Sequence, residues 1–243
     1  MSRSKNILIT GVSRGLGWAL CRTLLQQGHR IYGISRSQTT ALKGLIEQYP
    51  GQFHWLSADL SQPGFINDSD FKHFLPKDLP IHGFVNNAAT AYEALISDLQ
   101  LDALEQMFAL NVLTPMMISR FVIRNRLLHG QGGSIVHVSS ICAHTGFKAL
   151  SMYAATKGAL EAFSKNTARE WGSRNIRSNC VVAGFMETKM SAGLTADQKQ
   201  KIYRRTALKA ATDIDAVVKA ICFLLFDATF TTGQNLFVDA GAI

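Results

Sequence analysis

The chain has 243 residues, 47% of them apolar, enough for the core of one α/β domain over residues 1–243, and no segment reads as an interdomain linker. Its 25 Lys and Arg against 17 Asp and Glu leave a formal charge of +8. That charge favours acidic partners, yet the basic residues are spread along the chain rather than gathered in a tail, so nucleic-acid binding is not indicated and a solvated basic surface remains open.

Cys21, Cys142, Cys180 and Cys222 are widely separated and lack metal-ligand spacing, so free thiols in a reducing compartment are expected rather than a disulfide framework or a metal set. Met1–Lys5 leads only into Ile7-Leu8-Ile9, too short for a signal-peptide core, and no run of 18 consecutive apolar residues suggests a membrane span. A cytoplasmic location is the expectation.

Short apolar or β-branched runs alternate with longer amphipathic stretches. In chain order the pattern predicts a strand at Asn6–Thr10, a helix at Leu16–Gln27 and strands at Arg30–Ile34 and Gln52–Ser57. Residues Ser61–Pro80, with Pro63, Gly64, Pro76 and Pro80, read as loop with at most a short helix. Then follow a strand at Gly83–Val85, a helix at Leu101–Asn125, a strand at Ser134–Val138 and a helix at Tyr153–Trp171. A strand at Arg177–Val182, a helix at Asp213–Phe226 and a strand at Leu236–Val238 close the series. Sequential βα units of this kind predict an α/β, doubly wound Rossmann fold with a mostly parallel seven-stranded sheet, whose ligands sit beyond the carboxyl ends of the strands.

Directly after the first strand comes Thr10-Gly11-Val12-Ser13-Arg14-Gly15-Leu16-Gly17. Glycines before a helix let backbone amides approach a pyrophosphate at the helix N-terminus; a tight strand-to-helix turn is the plainer alternative. The second strand ends Gly33-Ile34-Ser35-Arg36-Ser37, without the Asp or Glu that would accept from the ribose hydroxyls of NAD. Arg36 and Arg14 instead offer guanidinium groups to a 2′-phosphate, which favours NADP(H).

Tyr153 and Lys157 lie four residues apart at the start of a predicted helix and project from one face. A phenol near pKa 10 exchanges protons poorly at neutral pH, and a neighbouring ammonium would lower that value. Alone, such a pair is also what an exposed helix surface offers. The glycine loop, Asn86-Asn87-Ala88-Ala89 after a strand, Asn111 within a helix, Val138-Ser139-Ser140 after another strand, and Tyr153 placed 13 residues beyond Ser140 together resemble the short-chain dehydrogenase/reductase family. The resemblance runs from Asn6 to Val238-Asp239-Ala240-Gly241 and is greatest to the 3-oxoacyl-acyl-carrier-protein reductases.

The resemblance implies Tyr153 as general acid, Ser140 as donor to the substrate carbonyl oxygen, Lys157 on the nicotinamide ribose hydroxyls, and Asn111 in support of a water chain; Ser139 reads as strand-end packing. It implies cofactor contacts from Gly11, Ser13, Arg14, Gly15, Leu16 and Gly17, from Arg36, Ser37, Asp59 and Leu60, from Asn86, Asn87 and Ala88, and from Gly184 and Thr188, besides Tyr153 and Lys157. It further implies NADPH-dependent reduction of a ketone, foremost a 3-oxoacyl thioester of fatty-acid or polyketide type synthesis, with a free small ketone, sugar or polycyclic alcohol as alternative and a non-catalytic NADP-binding regulator as the remote one. A homotetramer and an acidic acyl-carrier partner belong to the same implication. Arginines from two regions, here Arg124 and Arg126 and then Arg169, Arg174 and Arg177, flank the active-site entrance in carrier-dependent relatives. Solvated helix ends or subunit salt bridges are the alternative for these arginines.

Three positions depart from the family pattern: Ala183 for a proline, Ala89 for a glycine and Ala240 for a glycine. No metal set emerges. Cys142 and His144 stand near the substrate mouth or simply pack, Met116 and Met117 are expected in core or subunit packing, and residues 187–210 read as a lid or, alternatively, a plain surface helix.

Overall fold

The computed structural model describes residues 4–188 and 191–243. Seven strands form one parallel sheet in the order β3-β2-β1-β4-β5-β6-β7: β1 Asn6–Thr10, β2 Arg30–Ser35, β3 Phe53–Ser57, β4 Gly83–Asn86, β5 Gly133–Ser140, β6 Ile176–Ala183 and β7 Asn235–Val238. Every pairing is parallel, so the expectation of a mostly parallel sheet becomes an entirely parallel one. All five residues of β1 are buried, as a strand covered on both faces requires. The chain reverses its direction of strand addition between β1 and β4, which opens a crevice at the carboxyl ends of those two strands.

Helices α1 (Gly15–Gln26), α2 (Thr40–Gln48) and α8 (Ile214–Cys222) cover one face, where Leu20, Leu24, Leu42, Val217 and Ile221 pack on Ile7, Ile9 and Val181. On the other face Phe71 of α3 (Ser69–Phe74) and Ile118 and Val122 of α5 (Thr114–Leu128) pack on Leu8, Phe84 and Ile135. Helices α4 (Leu101–Phe108), α6 (Ser151–Trp171) and α7 (Ala196–Arg205) complete the set. The helical run Leu101–Leu128 is interrupted by a π turn at Ala109–Leu113. By length and composition it matches a membrane span, though no unbroken apolar run announced it; its apolar stretch is half buried, as a core helix is.

The interior of β5 carries an unusual residue. His137 is fully buried between Phe84 and Phe163, and neither ring nitrogen meets a protein partner among the described residues. Burial, with the Lys157 ammonium adding to it, pushes the imidazole down to about 3. The unfolded chain takes up a proton near pH 6.5 while the folded chain refuses it until about pH 3, so His137 destabilises the fold progressively as pH falls through that window. Wild type should therefore lose about 1.6 kcal/mol more than His137→Leu between pH 6.5 and pH 5, because the slope reaches its full value of about 1.4 kcal/mol per unit only below the unfolded-chain pKa. Urea unfolding of both proteins at the two pH values checks this, and equal losses would contradict it.

Candidate active site

The glycine loop joins β1 to α1 at the crevice. Gly11 donates its amide to Ile34 O at 2.8 Å and holds a φ of +75°. A Cβ there would stand 2.8 Å from Asn87 Nδ2 and 2.9 Å from Ala88 Cα, and one at Gly17 would stand 2.2 Å from Gly11 O. Side chains at these positions would wedge α1 away from the sheet. Asn87 Nδ2 donates to Thr10 O and Gly11 O, and the Thr10 hydroxyl accepts from the amides of Asn87 and Ala88. The two strand ends are thus locked across the crevice. Ser13 is buried, and its carbonyl accepts from Thr39 Oγ1 at 2.7 Å, which anchors α2 to the loop. Among the described residues the N-cap Arg14 makes no side-chain cap to α1 and no acid lies in its first turn, so its leading amides remain available to an anion. Arg14, immediately before α1, is exposed, and Thr188 faces Gly15 from across the loop.

At the ends of β2 and β3, Arg36 and Ser37 are exposed; Arg36 O accepts from Ser57 Oγ and Ser37 O from Ser35 Oγ. Asp59 accepts from the amide and hydroxyl of Ser61 at 3.0 and 2.9 Å. The Ser61 amide, then its hydroxyl and the Arg36 guanidinium, hold the Asp59 carboxyl below the usual range against the opposing effect of burial. Leu60 is buried, and its carbonyl accepts from Thr114 Oγ1.

Ser140 ends β5, and its Oγ accepts the Cys142 amide at 3.2 Å. Tyr153 lies in the first turn of α6, where burial pushes its phenol well up while a hydrogen bond from the Ser140 hydroxyl acts the other way. One turn later Lys157 is 2% exposed and donates to Val138 O at 2.7 Å; its Nζ lies 5.6 Å from the Tyr153 ring centre. Burial lowers this ammonium to about 8. A phenol, a hydroxyl and a buried ammonium therefore meet where β5 meets α6, an arrangement able to deliver a proton to an oxyanion.

Asn111 sits fully buried in the π turn, a local widening that recurs at functional sites. Its Nδ2 donates to Thr90 O and Thr156 Oγ1, and its Oδ1 accepts from the Thr90 amide. This side chain ties the loop after β4 to α6. Gly184 follows β6 so closely packed that a Cβ would stand 2.3 Å from Thr212 Oγ1 and 2.7 Å from Asp239 Cα.

The structure adds a cluster that the motifs did not announce. Glu161, two turns past Tyr153 on α6, accepts from Ser139 Oγ at 2.5 Å, Asn235 Nδ2 at 2.6 Å and His144 Nε2 at 2.8 Å. Ser139 is buried at the strand end, as its reading as packing implies, and is in addition a hydrogen-bond donor; His144 belongs to this cluster. A glutamate four residues beyond Lys157, on the face already assigned to the site, was the available signal.

Two further expectations change. Arg126 is 2% exposed and donates to Gly132 O, Ile81 O and Gln131 Oε1, while Arg177 donates to Leu224 O, Leu225 O and Ala228 O. Both guanidinium groups are committed to hydrogen bonds within the fold, Arg126 buried and Arg177 partly buried, so neither is a free cation held out to a partner. Arg169 stands about 24 Å along α6 from Tyr153 at 1.5 Å per residue, and the exposed Arg124 and Arg174 lie at that same end of α5 and α6. The arginines therefore do not flank the Tyr153 entrance within this chain. Of the 187–210 segment, Lys189 and Met190 lie outside the described residues; Glu187 accepts from the Tyr203 hydroxyl and pairs with Lys199 at 3.5 Å, linking α7 to the chain after β6.

Residues 11–242 match the family model described as Enoyl-(Acyl carrier protein) reductase. The chain belongs to the short-chain dehydrogenase/reductase family. It is 33% identical to an L-xylulose reductase of Caenorhabditis elegans over 98% of this chain and 95% of that protein. It is 30% identical to a 3-oxoacyl-acyl-carrier-protein reductase FabG of Chlamydia pneumoniae over 98% and 96%. A solved 4-hydroxyisoleucine dehydrogenase complexed with NADH shares the fold with a TM-score of 0.92 at 23% identity, covering 98% of both chains. The short-chain dehydrogenase/reductase assignment makes the chain an oxidoreductase, and it brings the departures at Ala183 and Ala240 into focus. Ala183 is an ordinary β6 residue paired with Val238, whereas Ala240 holds a φ of +59° that alanine adopts at a cost. Ala240→Gly should raise stability by about 0.5–1 kcal/mol, the left-handed penalty less the added unfolded-chain entropy. A thermal midpoint higher by about 1–3 °C is the expected readout, and a lower one would contradict the strain.

Proposed function

We propose that this short-chain dehydrogenase/reductase reduces a ketone to a secondary alcohol with NADPH, and that Ser140, Tyr153, Lys157 and Asn111 form its catalytic site. The observation that carries the reading is the meeting of the Tyr153 phenol, the Ser140 hydroxyl and the buried Lys157 ammonium at one strand end. The cofactor fits the residues present: the uncapped amides of α1 and the cradle that a Cβ at Gly11 or Gly17 would fill suit a pyrophosphate, and the exposed Arg14 and Arg36 suit a 2′-phosphate.

When bound, the nicotinamide supplies the hydride that reduces the carbonyl carbon. Ser140 donates to the carbonyl oxygen and fixes it where charge develops. Tyr153 passes its phenolic proton to that oxygen. Lys157 holds the ribose hydroxyls and, as an ammonium, eases the loss of the phenolic proton; burial resists the phenolate until that charge is in place. Asn111 has its side chain committed to Thr90 and Thr156, so its part is to hold the loop after β4 against α6 and keep the route to Lys157 in shape. Residues Ser13, Gly15, Leu16, Ser37, Asp59, Leu60, Asn87, Ala88, Gly184 and Thr188 line the remaining cofactor contacts of this reading, with residues 187–210 as lid.

The proposed substrate is a 3-oxoacyl thioester, carried on acyl-carrier protein or a similar thiol, reduced by a cytoplasmic homotetramer. A second reading, a free ketone or sugar, draws on the L-xylulose reductase relative and on the distance of the arginines from Tyr153 within this chain. Initial rates with NADPH on a carrier-bound 3-oxoacyl chain, its small thioester mimic, a diketone and a ketose separate the two. Faster reduction of the thioesters is expected, and reduction of the ketose alone would move the second reading ahead.

A further inference from the structure

Among the described residues Glu161 is nine-tenths buried without a lysine or arginine partner, so its carboxylate is held by hydrogen bonds and by His144. Its contacts are not scattered. Ser139 precedes Ser140 on β5, and His144 follows the turn Ile141–Ala143, whose Cys142 amide donates to Ser140 Oγ. Glu161 thus grips the segment that bears Ser140 on both sides of it. The carboxylate also takes Asn235 at the start of β7, and Phe237 of the same strand lies edge-on to the His144 ring at 4.8 Å. Tyr153, Lys157 and Glu161 follow one another at intervals of four on α6, so the grip is anchored to the helix that carries the acid and the ammonium.

We propose, resting on the reading above, that Glu161 is a positioning residue for the reaction: through Ser139 and His144 it holds Ser140 in register with Tyr153 and Lys157. A carboxylate receiving three donors suits this task, because charge-assisted hydrogen bonds are short and directional. Nor is it electrically neutral toward the site. The groups facing the Lys157 ammonium are Cys180 on β6, Cys142 in the turn, His137 on β5, and Tyr153 and Glu161 on α6 itself; of these, Glu161 is the carboxylate, and it favours the charged form.

The test is Glu161→Gln, which keeps the shape but loses the charge and sets an amide donor against those of Asn235 and His144. On the favoured ketone, kcat should fall by about 10- to 100-fold, the cost of a small misplacement of a reacting group, while the NADPH Kd stays within about twofold. The basic limb of the kcat profile should move to lower pH, because Lys157 loses a group that holds its proton. Ser139→Ala, a smaller change that keeps the carboxylate, should lower kcat without moving that limb, and it decides the matter should Glu161→Gln not fold. Wild-type kcat and an unmoved limb in Glu161→Gln, or wild-type kcat in Ser139→Ala, would overturn the proposal. Amide hydrogen exchange over residues 139–146 needs no substrate: faster exchange there in Glu161→Gln, with the rest of the chain unchanged, is expected, and unchanged exchange would overturn it. Absence of turnover in the wild type would instead count against the functional reading and leave the exchange result to decide.

Discussion

Tyr153→Phe should lower NADPH-linked ketone reduction by about 10²–10⁴-fold, the usual worth of a general acid, and leave the NADPH dissociation constant within about twofold. The ring stays in the first turn of α6, against Lys157 at 5.6 Å from its centre, so the packing survives the change. What goes is the proton for the substrate oxygen and the partner of the Ser140 hydroxyl. Ser140 alone is a poor acid, so little of the rate should be recovered by raising the proton concentration. Steady-state rates beside a fluorescence titration of NADPH make the comparison, and turnover within twofold of wild type would remove Tyr153 from the role of acid.

Arg36→Asp should weaken NADPH binding by about 10- to 100-fold, the worth of a charge-assisted hydrogen bond lost to a phosphate, and shift the cofactor ratio toward NADH. Arg36 stands exposed at the end of β2, its backbone pinned by Ser57 Oγ, so the substitution leaves the sheet untouched. The new carboxylate would repel a 2′-phosphate and could accept from ribose hydroxyls. It would also face Asp59, whose ionised form Arg36 now supports, so the gain in NADH affinity should be smaller than the loss in NADPH affinity. Dissociation constants for both cofactors in both proteins settle the matter; an unchanged ratio would show that Arg36 does not select the cofactor.

How much of this was legible before folding differs by element. β1 and the glycine loop were plain, because a buried parallel strand reads as a continuous apolar run and Gly11 and Gly17 are required by contacts shorter than any Cβ allows. α2 was missed: only Leu42 and Leu45 are buried in its nine residues, too few to display a period, although Thr39 capping the Leu42 amide was a readable start. α7 falls within residues 187–210, which read as a lid or a plain surface helix; no residue of it is buried, so no apolar period marks it, and its beginning lies in the Thr195–Gln198 capping box. Tyr153, Lys157 and Ser140 were legible as types at fixed spacing. Glu161 was visible only as an acid on the same helix face, because its role depends on Ser139 and His144 from the β5 end and on Asn235 from β7. Arg126 and Arg177 misled for the converse reason: a guanidinium that caps buried carbonyls looks, in sequence, like one that waits for a partner.

The most direct measurement follows the hydride itself. Incubation with NADPH deuterated at the transferring position and a 3-oxoacyl thioester, followed by mass analysis of the alcohol, should show one deuterium on the carbinol carbon. The same label should appear at a rate lower by about 10²–10⁴-fold with Tyr153→Phe. Wild-type protein that binds NADPH yet transfers no deuterium to the thioester, the diketone or the ketose would contradict the account.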